Sequence, residues 1–316
     1  MITMFNAMHR PPWFVHWKAL IIGTALLALS GCSALRLGYG QAPQLAYWWL
    51  DGYADFTSEQ APRVKAALGQ WFAWHRTTQL GDYADWLARQ ARLAEQATTP
   101  EQVCRLSDEL RERFNTALSQ AIPLATPLLP SLSAAQFKHI AQRNQKALDD
   151  FRSEYAKGDA AERRNRQIKR ATSRYEDFYG RLNDAQRSAL ADSADSSPFS
   201  ADVALAERRE RQAETVHALR QMAAEHIAHP DRAAAALHAL AARMQRSPRA
   251  EYRAYERRVI DHQCQLVSRI HNLSSPEQRG ALRAKLKGWE DDLRTLAAQP
   301  ANGLPFGPAP SVVAPG

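Results

Sequence analysis

The chain has 316 residues, with 41 Lys and Arg against 33 Asp and Glu, for a formal net charge of +8. That length supports one large domain or two small ones around a sizeable core. The basic excess suits contact with anionic lipid headgroups but falls short of a nucleic-acid signature, so no nucleic-acid partner is expected.

Residues 1–31 read as a lipoprotein signal peptide. His9, Arg10 and Lys18 form a basic start, and Ala19 to Leu29 is a short apolar stretch ending in small residues. It closes in Leu29-Ser30-Gly31-Cys32, the order of a lipobox. The apolar run is shorter than the ~20 residues that span a bilayer, which disfavours a transmembrane helix. The expected mature start is a lipidated Cys32, so the membrane is the first partner, held through the lipid on Cys32. Three acyl chains there would make anchoring effectively permanent, at about 0.8 kcal/mol per buried CH₂. Ser33 rather than Asp follows the Cys, which by the sorting habit of Gram-negative lipoproteins points to the outer membrane, facing the periplasm.

Residues 32–44, with Gly38, Gly40 and Pro43, read as a lipidated tether. Residues 45–298 read as helix: Gly is rare, Ala, Arg, Leu, Glu and Gln abound, and strand-like alternation is absent. The predicted fold class is all-α, a single domain of about nine or ten amphipathic helices. One-sided stripes support it: Val64, Leu68, Trp71, Phe72 and His75; Phe137, Ile140, Asn144, Leu148, Phe151 and Tyr155; Ala213, Val216, Leu219, Ala223 and Ile227; Leu282, Leu286, Trp289, Leu293 and Leu296. Gly81, Pro100, Gly158, Pro198, Pro230, Pro248 and Pro276 separate them. Ile122 to Pro130 carries three prolines and reads as a connector, with two lobes meeting there as the alternative architecture. Residues 299–316 read as a disordered tail.

With Cys32 lipidated, Cys104 and Cys264 remain. An even pair in an oxidising compartment predicts a disulfide. It would pack the helix after Pro100 against the helix from Ala250 to Ile270.

A capping pattern recurs: Ser, Thr or Asn followed three residues on by Gln. It occurs at Thr57/Gln60, Ser133/Gln136 and Asn183/Gln186, and more loosely at Thr99/Gln102 and Ser275/Gln278. The first side chain accepts from the N3 amide, and the Gln accepts from the N-cap amide. Locally this resembles the Leu-Thr-x-x-Gln motif of Spy/CpxP-type periplasmic chaperones, which are small helical hairpins that cradle unfolded clients. A wider resemblance joins the lipobox, Tyr47-Trp48-Trp49-Leu50-Asp51-Gly52-Tyr53, Phe56-Thr57-Ser58-Glu59-Gln60 and the Ser275-Pro276-Glu277-Gln278-Arg279 segment with its leucine stripe. This arrangement looks like a proteobacterial lipoprotein family of the domain-of-unknown-function type (DUF6279-like). That resemblance implies helical character and localisation, and brings no catalytic residues.

Three groups are candidates for function. Tyr47, Trp48, Trp49, Tyr53 and Phe56 form a membrane-proximal belt, a ligand groove or the core side of the first helix, with Asp51 and Asp55 opposite. Arg163, Arg164, Arg166, Lys169 and Arg170, with Arg208, Arg209, Arg211 and Arg253, Arg257, Arg258, form solvated faces or an anion-facing strip for phosphates of lipopolysaccharide or a charged partner. Glu162–Arg166 and Glu207–Arg211 have favourable helical spacing. His226 and His229, near His217 and His238, lack a zinc-site spacing, so no metal is expected, and no cofactor. No nucleophile motif occurs. The expected function is a non-enzymatic binding or envelope-maintenance protein acting on an envelope protein or anionic envelope polymer through its helical surface. A cell-envelope hydrolase with unrecognised carboxylates, or a chaperone, is the alternative. Facing carboxylates in a closed cleft would favour the hydrolase, and an open groove lined by aromatics would favour binding.

Overall fold

The computed structural model describes residues 34–225, 230–300 and 304–306, so residues 1–31 and Cys32 lie outside the described residues, as do His226 and His229. Among the described residues there are eleven α-helices and no strand. In chain order they are α1 (Ala34–Ala54), α2 (Gln60–Thr78), α3 (Leu80–Leu93), α4 (Pro100–Ala125), α5 (Ala134–Phe151), α6 (Ala160–Tyr179), α7 (Asp184–Asp195), α8 (Ala201–Glu225), α9 (Pro230–Gln245), α10 (Ala250–Asn272) and α11 (Pro276–Ala298). None is long and apolar enough to cross a membrane.

The stripes find each other across long sequence distances. Leu80, Ala84 and Leu87 of α3 bury against Leu293 and Leu296 of α11. Tyr179, Leu182, Ala189 and Leu190 around α6 and α7 bury against Leu266 and Ile270 of α10. A third cluster joins Leu129, Met222 and Leu240. Cys104 of α4 and Cys264 of α10 form the expected disulfide, with Cα atoms 5.5 Å apart.

Every capping pair forms. Reciprocal hydrogen bonds join Thr57 with Gln60, Thr99 with Gln102, Ser133 with Gln136, Asn183 with Gln186 and Ser275 with Gln278. Asp159 and Glu162 form a sixth box. Four of the glutamines go further and pair across helices. Gln136 Nε2 donates to Gln60 Oε1 at 2.8 Å and to the Ala54 and Asp55 carbonyls, while Gln60 Nε2 donates to the Ser131 carbonyl. Gln278 Nε2 donates to Gln186 Oε1 at 2.9 Å, and Gln186 Nε2 to the Ile270 carbonyl and Ser274 Oγ. The caps are therefore also buried joints between distant helices.

Three expectations are corrected. The tether of residues 32–44 is helical from Ala34, because Leu35, Tyr39, Pro43 and Tyr47 recur every four residues and face the body, the last two buried. That packing overrides the low helix propensity of Gly38, Gly40 and Pro43. The proline connector is also ordered: α4 runs through Pro123 to Ala125 and continues as a 3₁₀-helix over Thr126–Ser131. The tail expected to be disordered docks where it is described. Leu304 is buried, Phe306 meets Tyr47 edge-on at 6.3 Å, and Arg76 donates to the Pro300 carbonyl.

Candidate functional site

α4 is long and amphipathic, yet of its 26 residues only Ile122 is buried. The disulfide and the Trp71 indole, which donates to the Ala117 carbonyl at 2.9 Å, hold it against α10 and α2. Its remaining apolar face looks into an open groove. Leu110 is 50% exposed and Phe114 63% exposed at the rim, with Ala117, Leu118 and Ala121 beyond.

The other walls are aromatic. α2 contributes Trp71 and His75, α3 contributes Tyr83, Trp86 and Leu87, and α11 contributes Trp289 and Leu293. The groove holds about 610 Å³, and no carboxylate lines it. Several polar groups of its walls are engaged. The Trp86 indole donates to Glu109, and Arg113 pairs with Asp82 at 2.9 Å while lying 5.6 Å over the Trp86 ring. What remains for a ligand is ring face and methyl surface.

His75 is a titratable group set deep in this wall. Its ring stacks on Trp71 at 4.7 Å, and Tyr39 Oη lies 2.9 Å from Nδ1. Burial pulls its pKa down to about 4, so the imidazole is neutral near pH 7. One hydrogen bond joins Nδ1 and the Tyr39 hydroxyl. His271 repeats the arrangement: Tyr179 Oη lies 3.0 Å from Nδ1, Nε2 lies 2.8 Å from the Gln96 carbonyl, and burial lowers its pKa too.

The aromatic segment after the anchor point divides. Tyr47 is buried against Phe56, Phe306 and Lys65. Trp48 and Trp49 are 60% and 63% exposed, with Trp49 resting on Tyr53 at 4.9 Å. With Leu37, Gln41, Leu45 and Gly52 they make an exposed, uncharged face of α1. Asp51 is not simply opposite the core; its Oδ1 accepts from the Phe56 amide and shapes the turn after α1.

Most arginines of the basic clusters are used structurally. Arg211 pairs with Glu207 at 2.6 Å as the spacing suggests, and Arg249 joins that buried carboxylate. Glu162 and Arg166 do not pair as expected: Glu162 closes the box on Asp159, and Arg166 donates to the Lys157 carbonyl. Asp149 and Asp150 are held by Arg152 and Lys146. His217 and His238 are exposed, and among the described residues no three metal-ligating side chains gather.

One Ser–His contact bears on catalysis. His262 Nε2 lies 2.9 Å from Ser193 Oγ and 3.1 Å from the Ser193 carbonyl. A nitrogen facing a carbonyl carries the proton, so it cannot accept the one on Ser193. The contact ties α10 to α7.

The groove residues Trp86, Leu110 and Phe114 are not distinguishable by spacing from ordinary core positions. The usable signal was the breadth of apolar surface on α4 relative to any stripe left to cover it.

Fold and site together define an all-α protein with an open aromatic groove and helices joined through paired capping glutamines. The chain belongs to the DUF6279 family, a family of unknown function, whose pattern matches residues 52–238. The match takes in α2 to α8 and most of α9, including Trp71, Trp86 and Phe114 but not Trp289. No curated protein and no solved structure matches the chain.

Proposed function

We propose that this is a non-enzymatic binding protein of the bacterial envelope, anchored at the outer membrane through a lipid on Cys32, whose α4 groove takes an apolar helical segment of another envelope protein. The observation carrying the reading is the α4 face: a long amphipathic helix with one buried residue, opposite three tryptophans and no carboxylate. Exposed apolar surface of this kind marks interaction sites, and a groove between helices suits an amphipathic helix laid along it. The lipobox supports the location. The uncharged α1 face with Trp48 and Trp49 suits the headgroup region just after such an anchor. Chaperone activity is a subclass of this reading, in which the segment belongs to an unfolded client.

The test places a photo-cross-linking amino acid at Phe114 in intact cells and identifies adducts by mass spectrometry. A discrete envelope protein, lost when Leu110→Asp is added, is the expected result. No adduct from Phe114 when a control position such as Arg92 gives the same background would sink the groove. Labelling with an alkyne fatty acid tests the anchor separately: label should appear on the chain and vanish in Cys32→Ala.

A further inference from the structure

A second, partly open cavity of about 340 Å³ is lined by α6, α7, the segment around Ser197–Phe199 and α10. Arg163, Arg170 and Arg174 line one wall, brought to a single face of α6 by spacings of seven and four residues. No acidic residue lines the cavity. The carboxylates nearby are committed elsewhere: Asp195 to Arg164, Asp192 to Arg269, Asp184 to Arg187. Glu154 stands beside the Tyr155 hydroxyl.

None of the three forms an ion pair among the described residues, and Arg163 and Arg174 are exposed while Arg170 is half-buried. Arg163 donates to the Gly158 carbonyl, and Arg170 lies 4.7 Å over the Tyr155 ring. Like charges at helical spacing repel. Three arginines on one wall of a cavity whose lining carries no carboxylate make a place for an external anion. Planar guanidiniums match phosphate oxygens in bidentate geometry. Behind them the cavity is apolar, with Ile168, Leu190 and Leu266.

We propose that this cavity, separate from the α4 groove, binds a phosphate monoester carried on an apolar body. The phosphate would sit among Arg163, Arg170 and Arg174, and the body would lie against Ile168 and Leu266. The same chemistry is offered by a lipid headgroup or by a soluble phosphate ester.

Phosphorus NMR titration of the full chain with octyl phosphate tests this. Saturable line broadening is expected, with inorganic phosphate weaker by about tenfold or more because it leaves the apolar part unused. The double variant Arg170→Gln/Arg174→Gln should lose about tenfold or more in affinity, as removal of charge-assisted hydrogen bonds does. Arg92→Gln/Arg111→Gln removes equal charge from α3 and α4 and should change nothing. Circular dichroism of both variants establishes that the helices persist. Vesicles of phosphatidylcholine with phosphatidic acid should displace octyl phosphate if the natural source is a membrane. If they do not while octyl phosphate still binds, the source is a soluble ester. Equal losses in the two double variants, or equal binding of octyl glucoside, would overturn the site. Inorganic phosphate binding as tightly as octyl phosphate would overturn the apolar body.

Discussion

Gln136 and Gln102 occupy the same position in the same capping motif and differ in everything beyond it. Gln102 is exposed and serves only Thr99 and its neighbour Thr98. Gln136 is buried, and its amide also satisfies the Ala54 and Asp55 carbonyls and Gln60. Removing an exposed capping side chain costs about 1 kcal/mol or less. Removing one that leaves buried acceptors unpaired adds about 1–3 kcal/mol. Gln136→Ala is therefore expected to cost about 2–4 kcal/mol in urea unfolding, and Gln102→Ala much less. Equal costs would mean that the glutamine pairs contribute only as caps. The motif itself was legible in the sequence, because reciprocal capping needs only local spacing. The pairing was not, since nothing local says which two caps meet. The same residue scale sets the acid response. His75 and His271 have folded pKa values below the ordinary 6.5 because burial disfavours their charged forms. The unfolded chain then binds more protons between pH 6.5 and the folded values. Stability is fully present above about pH 6.5 and falls as the pH drops towards 4. Melting temperatures measured from pH 7.5 to 5 should decline, and His75→Asn should flatten the decline. A flat profile for the wild type would contradict the buried neutral imidazoles.

At the scale of elements, the helices that announced themselves were those whose partners lie in equally regular stripes. α11 carries Leu282, Leu286, Trp289, Leu293 and Leu296, and α3 answers with Leu80, Ala84 and Leu87. The first half of α1 was hidden because glycines and a proline interrupt a four-residue repeat that only packing reveals. The open face of α4 was hidden for the opposite reason: periodicity shows that a face is apolar and cannot show that nothing covers it. The segment after α11 depends on α2 in a way that one position can test. An added Cβ at Gly69 would lie 1.7 Å from the Phe306 carbonyl oxygen. Gly69 is inside α2, where Ala is intrinsically better by about 1 kcal/mol. Gly69→Ala should destabilise the full chain by expelling Leu304–Phe306, yet stabilise a chain truncated after Pro300. Thermal unfolding of the four proteins reads the sign directly. Stabilisation in both backgrounds would show that the terminal segment contributes nothing at this site.

At the scale of the molecule, the disulfide decides how an under-buried helix stays in place. Cys104 and Cys264 are separated by 160 residues, and the bridge ties α4 to α10 near the cluster of Leu266 and Ile270. The pairing was legible from cysteine count alone; its consequence for α4 was not. α4 buries one side chain fully and half-buries others such as Val103, Leu106 and Leu118, so the bridge and directional bonds such as Trp71 to Ala117 carry more of its position than they would in a helix with a fully buried stripe. The loop-entropy model gives roughly 4–5 kcal/mol for a closure of this length, an upper figure when the reduced chain keeps residual structure. Cys104→Ser/Cys264→Ser should therefore lower the urea midpoint strongly. It should also increase amide exchange along α4 more than along α3 or α11, whose contacts are mutual and apolar. Both effects follow from the same cause and should appear together. A large midpoint loss with α4 still as protected as α11 would mean that the bridge acts only on the unfolded chain. An unchanged midpoint would mean that α4 is held by contacts along its length, and that its open face is not what the disulfide maintains.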